Sequence, residues 1–110
     1  MSADVPFDFY VGRQKLPAGQ YEVKHMGDPS VLHVTDGKGH VSITFSNGQT
    51  NRSATRRGQL IFTRYGSQYF LSEVHWADST LSRQLLKSPL EIQIARSTAA
   101  EQISASTRNR

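Results

Sequence analysis

The chain has no cysteine, which excludes disulfides, thiolate nucleophiles and cysteine-ligated metal centres. Long apolar runs are missing as well. Nothing approaches the ~20 apolar residues of a membrane span, and Met1-Ser2-Ala3-Asp4 enters the first strand-like run with neither a basic n-region nor an apolar h-region. The expectation is a soluble chain without an export signal. Catalytic patterns are absent too: Gly66-Ser67-Gln68 lacks the Gly-x-Ser-x-Gly frame, His75 and Asp78 have no placed serine, and carboxylates are scattered singly. Gly37-Lys38-Gly39 is turn chemistry, unlike a strand-to-helix phosphate cradle. None of His25, His33, His40 and His75 stands at i, i+2 or i, i+4 from another, so the spacing of metal ligands is missing. These absences point to a non-enzymatic protein with no metal and no cofactor.

What is present suits one β-rich domain. The apolar fraction is only 36%, and the shortfall comes from two polar stretches, residues 46–58 and 97–110. Thirteen Lys and Arg against nine Asp and Glu give a net charge of +4 and a pI near 9.8, a basic balance that favours anionic surfaces or polymers.

Residues 59–76 organise the rest. Two runs rich in β-branched, aromatic and aliphatic side chains flank Gly66-Ser67, which fits a two-residue hairpin loop needing positive φ at its first position. Closing there pairs Tyr65 with Gln68, Arg64 with Tyr69, Thr63 with Phe70 and Phe62 with Leu71. One face then holds Leu60, Phe62, Arg64, Tyr69, Leu71 and Glu73; the other holds Ile61, Thr63, Tyr65, Gln68, Phe70, Ser72, Val74 and Trp76. A hairpin apolar on both faces needs cover on both.

Upstream, residues 5–11 alternate as a first strand, 12–19 turn the chain, and 20–26 alternate Tyr21, Val23 and His25 against Glu22 and Lys24. Residues 31–35 and 41–45 form a second hairpin about Asp36-Gly37-Lys38-Gly39, with Val41, Ile43 and Phe45 as one apolar face. Residues 46–58 hold little that could anchor a core and read as an exposed, mobile loop. Residues 81–87 are ambiguous. Ser88-Pro89-Leu90-Glu91 is a capping box with proline at the first helical position. A helix from Pro89 to about Ile103 would align Ile92, Ala95, Ala99 and Ile103. The alternation of Leu90, Ile92 and Ile94 also permits a strand, but it stops at Ala95 where the helical spacing continues.

Arg52, Arg56, Arg57 and Arg64 beside Tyr65 and Tyr69 are the candidate ligand-binding residues, since cations interleaved with aromatic rings are the means by which single-strand-binding surfaces hold phosphates and bases. The alternative is that the loop arginines are solvated and the tyrosines pack on the sheet.

Val5-Pro6-Phe7-Asp8-Phe9-Tyr10-Val11-Gly12 with Leu16-Pro17-Ala18-Gly19-Gln20-Tyr21-Glu22-Val23, then Arg64-Tyr65-Gly66-Ser67-Gln68-Tyr69-Phe70-Leu71 and Arg83-Gln84-Leu85-Leu86-Lys87-Ser88, resembles a family of small, functionally uncharacterised bacterial proteins recurrent in soil bacteria. The resemblance implies a secreted or periplasmic setting, because many members begin with a secretion signal. The expectation from Met1-Ser2-Ala3-Asp4 is a chain without that leader, a departure from the resemblance, and Leu86 stands where proline is usual.

The expected architecture is all-β: a small antiparallel, partly closed barrel or sandwich of six to seven strands over residues 1–103 with a C-terminal helix from about residue 89, and a disordered tail over 104–110. The expected role is a non-catalytic binding or structural module of the bacterial envelope. One alternative is an anionic-polymer binder, of nucleic acid or polysaccharide, acting through the basic 46–58 loop; a second is a small barrel around an apolar ligand; another protein as partner stays open.

Overall fold

A computed structural model describes residues 1–50 and 58–106. Its strands are β1 (Ser2–Val5), β2 (Phe9–Val11), β3 (Gln14–Leu16), β4 (Gly19–Met26), β5 (Asp28–Thr35), β6 (Val41–Thr50), β7 (Gln59–Tyr65), β8 (Gln68–His75), β9 (Leu81–Leu85) and β10 (Ala100–Ser106), with one helix, α1 (Pro89–Ala95). They form one ten-stranded sheet ordered β1-β4-β5-β6-β9-β8-β2-β3, with β7 on β8 and β10 on β7. The fold is all-β as expected. The six-to-seven-strand barrel is corrected: there are more and shorter strands, and the sheet does not close, since β1 and β10 approach one another without a hydrogen-bonded ladder.

The extra strands arise at places where local chemistry interrupts a longer alternation. Residues 5–11 break into β1 and β2 at Pro6, which has no N–H to donate, and at Asp8, whose Oδ1 accepts from the Ala18 N–H at 2.9 Å. Gly12, at φ +62, then opens a tight β2–β3 hairpin that pairs Val11 with Gln14 and Phe9 with Leu16. The expected turn over 12–19 therefore contains a strand, and Leu16 is buried.

β6 joins two halves of the sheet. Val41 to Phe45 pair with β5, whereas Ser46 to Thr50 leave β5 and pair with β9, Ser46 opposite Leu85 and Gln49 opposite Ser82. Residues 46–50, expected in a loop, are strand instead, because their polar side chains do not prevent their backbone from completing a ladder; the rest of that expected loop, 51–57, lies outside the described residues. Between the halves lie Phe9, Tyr21, Val23, Leu32, Val34, Phe62, Leu71 and Val74, all buried. Phe9 meets Tyr21 and Phe62 edge to face, at 5.1 and 5.4 Å between centroids.

The central hairpin has the expected register, from Tyr65–Gln68 through Phe62–Leu71, with Gly66 at φ +63. A bulge between Ile61 and Phe62 then shifts the pairing, so Leu60 faces Val74 and Ile61 faces Glu73. It moves Val74 into the core beside Leu60 and releases Glu73 to pair with His75 at 2.8 Å, correcting the expected faces beyond that point. Both faces are covered. On the second, Tyr65 and Phe70 are buried, Phe70 stacks on Tyr10 at 4.7 Å, and Tyr65 is met by α1.

The helix starts as expected: the Glu91 N–H donates to Ser88 Oγ at 3.2 Å, with Pro89 in the first turn. The reciprocal half of the capping box is replaced, since Glu91 Oε2 accepts from the Tyr65 hydroxyl at 2.9 Å. The continuation to Ile103 is corrected as well. The chain leaves the helix after Ala95 and returns as β10 along β7, pairing Ile103 with Phe62 and Ser104 with Ile61. A hydrogen-bonded strand on the edge of β7 outweighs a narrow helical stripe. Residues 104–106, expected in a disordered tail, belong to β10, and 107–110 lie outside the described residues.

Candidate functional site

The residues singled out from the sequence do not form one surface. Arg52, Arg56 and Arg57 lie outside the described residues. Arg64 and Tyr69 face one another across the hairpin, but each is already occupied: Arg64 Nη2 lies 2.6 Å from Glu101 Oε2, and the Tyr69 ring stacks on Phe7 with centroids 3.8 Å apart. The hydrogen bond to Glu101, followed by one to Tyr69, raises the Arg64 pKa. Tyr65 belongs to the opposite face of the strand and is 3% exposed. Burial, then the hydrogen bond to Glu91, pushes its phenol up to about 12. A phenol so enclosed cannot stack on a ligand base.

A different constellation forms where β4, β6 and β9 meet the end of β8. The Trp76 indole follows β8 and stacks on the His25 imidazole of β4, 4.5 Å between centroids and 19° from parallel. Beside this pair is a cavity of about 270 Å³, also lined by Gly48, Gln49, Ser79, Leu81, Ser82 and Arg83. Arg83 is held in place from β6, its Nε donating to Ser46 Oγ at 2.9 Å and its Nη2 to the Ser46 carbonyl at 2.6 Å. The guanidinium lies over Gly48, where a Cβ would stand 3.0 Å from Arg83 Nη1. Glycine is what lets the cation approach the strand this closely.

Two polar groups here have no hydrogen-bond partner among the described residues. Gln49 Oε1 and Ser82 Oγ, on residues paired across the β6–β9 ladder, are buried and unsatisfied, a condition that few native polar atoms tolerate. Aromatic and aliphatic walls with an immobilised cation are the usual ingredients of a small-molecule site. Sequence reasoning missed it because His25, Gln49, Trp76 and Arg83 come from four separate segments with no common spacing. The one available signal was Trp76, the only tryptophan in the chain.

Two of the other histidines pair with carboxylates, His75 with Glu73 and His40 with Asp36. His40 Nδ1 meets Asp36 Oδ2 at 2.6 Å in the β5–β6 turn. Burial there raises the Asp36 pKa, but hydrogen bonds from the Lys38 and His40 amides and the His40 ring outweigh it and lower it. Among the described residues no three His, Cys, Asp or Glu side chains gather as metal ligands, and no helix is long and apolar enough to cross a membrane.

Comparison with protein-family models, curated proteins and solved structures finds no match to this chain.

Proposed function

We propose that the chain is a non-catalytic binding module whose site is the cavity beside the His25–Trp76 stack, and that its ligand is a small planar molecule. The observation that carries this reading is one cavity bringing together the indole–imidazole stack and the Arg83 guanidinium fixed by Ser46. A ring can lie against the aromatic wall and Leu81 while its polar edge meets Arg83. At about 270 Å³ the cavity is just below the range of roughly 300–1,000 Å³ usual for ligand sites, which suits a molecule of one or two rings.

For the anionic-polymer alternative, Arg64 is paired with Glu101 and Tyr65 is buried, while the arginines of the 46–58 loop through which it would act lie outside the described residues. The reading of an apolar ligand inside a closed barrel is weakened by the open sheet and by the aromatic side chains filling its interior.

Intrinsic fluorescence tests the proposal, since all indole emission comes from Trp76. In a panel of one- and two-ring heteroaromatic fragments, some members should quench or shift that emission saturably. The effect should be lost in Leu81→Arg, which places a long charged side chain at the exposed rim. Emission unmoved by the whole panel, or changed equally in the variant, would overturn the assignment.

A further inference from the structure

β6 is inside out. Its alternation sets Val41, Ile43 and Phe45 against Ser42, Thr44 and Ser46, and it is Ser42 and Ser46 that are buried, while the apolar residues are 40%, 58% and 64% exposed. Antiparallel sheets with one solvated face normally present polar residues there. The adjoining strands extend this outer face. His33 and Thr35 of β5 pair with Ile43 and Val41, and Lys24 and Glu22 of β4 pair with His33 and Thr35. On the other side Leu86, 55% exposed, follows the residue that pairs with Ser46. The exposed apolar side chains amount to on the order of 400 Å², within the range where the largest patch on a monomer is often functional.

The rim identifies the occupant. Glu22 and Lys24, each about half exposed, lie 3.7 Å apart on this face, so the patch is edged by both signs of charge. A wholly basic edge would suit an anionic lipid surface or an acidic protein; a mixed edge complements itself. We propose that the β4–β5–β6 face is a self-association surface on which two copies of this chain pack about a two-fold axis running across the strands. With the axis between the Glu22–Thr35–Val41 row and the Lys24–His33–Ile43 row, the observed register sets Glu22 of one copy over Lys24 of the other and Val41 over Ile43. The pairing is isologous and closes at two copies. Twice the patch plus its rim reaches only the lower end of specific interfaces, about 1,200 Å², so the dimer dissociates on dilution.

Sedimentation velocity from about 5 to 500 μM, a range that brackets a weak dimer, reads this directly. The weight-average mass should climb from monomer toward dimer. Ile43→Ser should keep the protein monomeric across the range with an unchanged melting temperature, because the side chain is outside the core. Lys24→Glu should weaken association at least tenfold by setting Glu22 against a glutamate, and adding Glu22→Lys in the same chain should restore it. A wild type that stays monomeric at the highest concentration refutes the proposal, and binding of that monomer to anionic vesicles would award the face to lipid instead. A dimer indifferent to Ile43→Ser, or a charge swap that fails to restore association, refutes it equally.

Discussion

Removing the Tyr65 hydroxyl tests how the helix is held to the sheet. Glu91 is 5% exposed and Tyr65 is 3% exposed, and the phenol donates to Glu91 Oε2 at 2.9 Å. Tyr65→Phe keeps the ring and its edge contact with Phe70, 5.7 Å between centroids, but strips a buried carboxylate of this donor. Hydrogen bonds to charged groups contribute about 1.5–3 kcal/mol, so a loss of about 2 kcal/mol is expected at neutral pH. Glu91→Gln retains an acceptor and should lose about 1 kcal/mol, since a neutral bond is roughly half as strong. In the double variant the losses should fall short of their sum by about 1 kcal/mol, the coupling expected of residues in contact. The pH profile is an independent check. The folded-state pKa of Tyr65 is raised from 10.0 to about 12, so its contribution is complete below about pH 10 and is lost as the pH rises through about 12. Tyr21, raised by burial and then by Asp36 and Asp8, acts in the same direction; Tyr65→Phe should therefore flatten the alkaline decline without abolishing it. Urea denaturation at several pH values measures both effects. A Tyr65→Phe variant within 0.5 kcal/mol of the parent, the scatter of ordinary surface substitutions, and with the same alkaline slope would refute the reasoning.

Three further outcomes follow from the backbone. Gly66→Val should cost about 1–2 kcal/mol by denaturant midpoint through strain at positive φ alone, because no atom lies within 4 Å of the added Cβ; Gly66→Asn should cost clearly less. Gly48→Ala should displace the Arg83 guanidinium from Ser46 and lose about 1 kcal/mol, and an unchanged melting temperature would mean that Arg83 moves without penalty. A chain ending at Ile103 forfeits the pairing of Ser104, Ala105 and Ser106 with β7 and should melt earlier by about 2 kcal/mol, whereas a dispensable tail would leave the midpoint in place.

The sequence reveals most where local chemistry decides the structure. Gly66-Ser67 sets its hairpin in register, Asp36-Gly37 turns β5 into β6, and Ser88-Pro89 starts the helix, all from residues adjacent in the chain. The bulge at Ile61 and Phe62 has no such marker; it follows from the need to bring Val74 over the core while β8 also pairs with β9. The alternation of β6 correctly indicated an apolar face but not the side to which it turns. That depends on Ser46 being required inside, where it accepts from Arg83 and its hydroxyl donates to the Ser30 carbonyl at 3.1 Å. The end of α1 depends equally on a distant edge, that of β7, which recruits residues 100–106. For the site the reason is the same: Arg64 and Tyr69 were correctly placed side by side, yet their partners Glu101 and Phe7 are far away in the chain. His25, Trp76 and Arg83 meet only because β4, β8 and β9 converge.

The most direct test of the binding assignment is a proton–nitrogen NMR titration of the labelled protein with the heteroaromatic fragments, following the Trp76 indole N–H and the Arg83 side-chain Nε–H. The account predicts saturable shifts at these two groups and at the Gly48, Gln49 and Ser82 amides, with Arg64 and Tyr69 unmoved. Shifts centred on Arg64 and Tyr69, or none at Trp76 with any fragment, would contradict it.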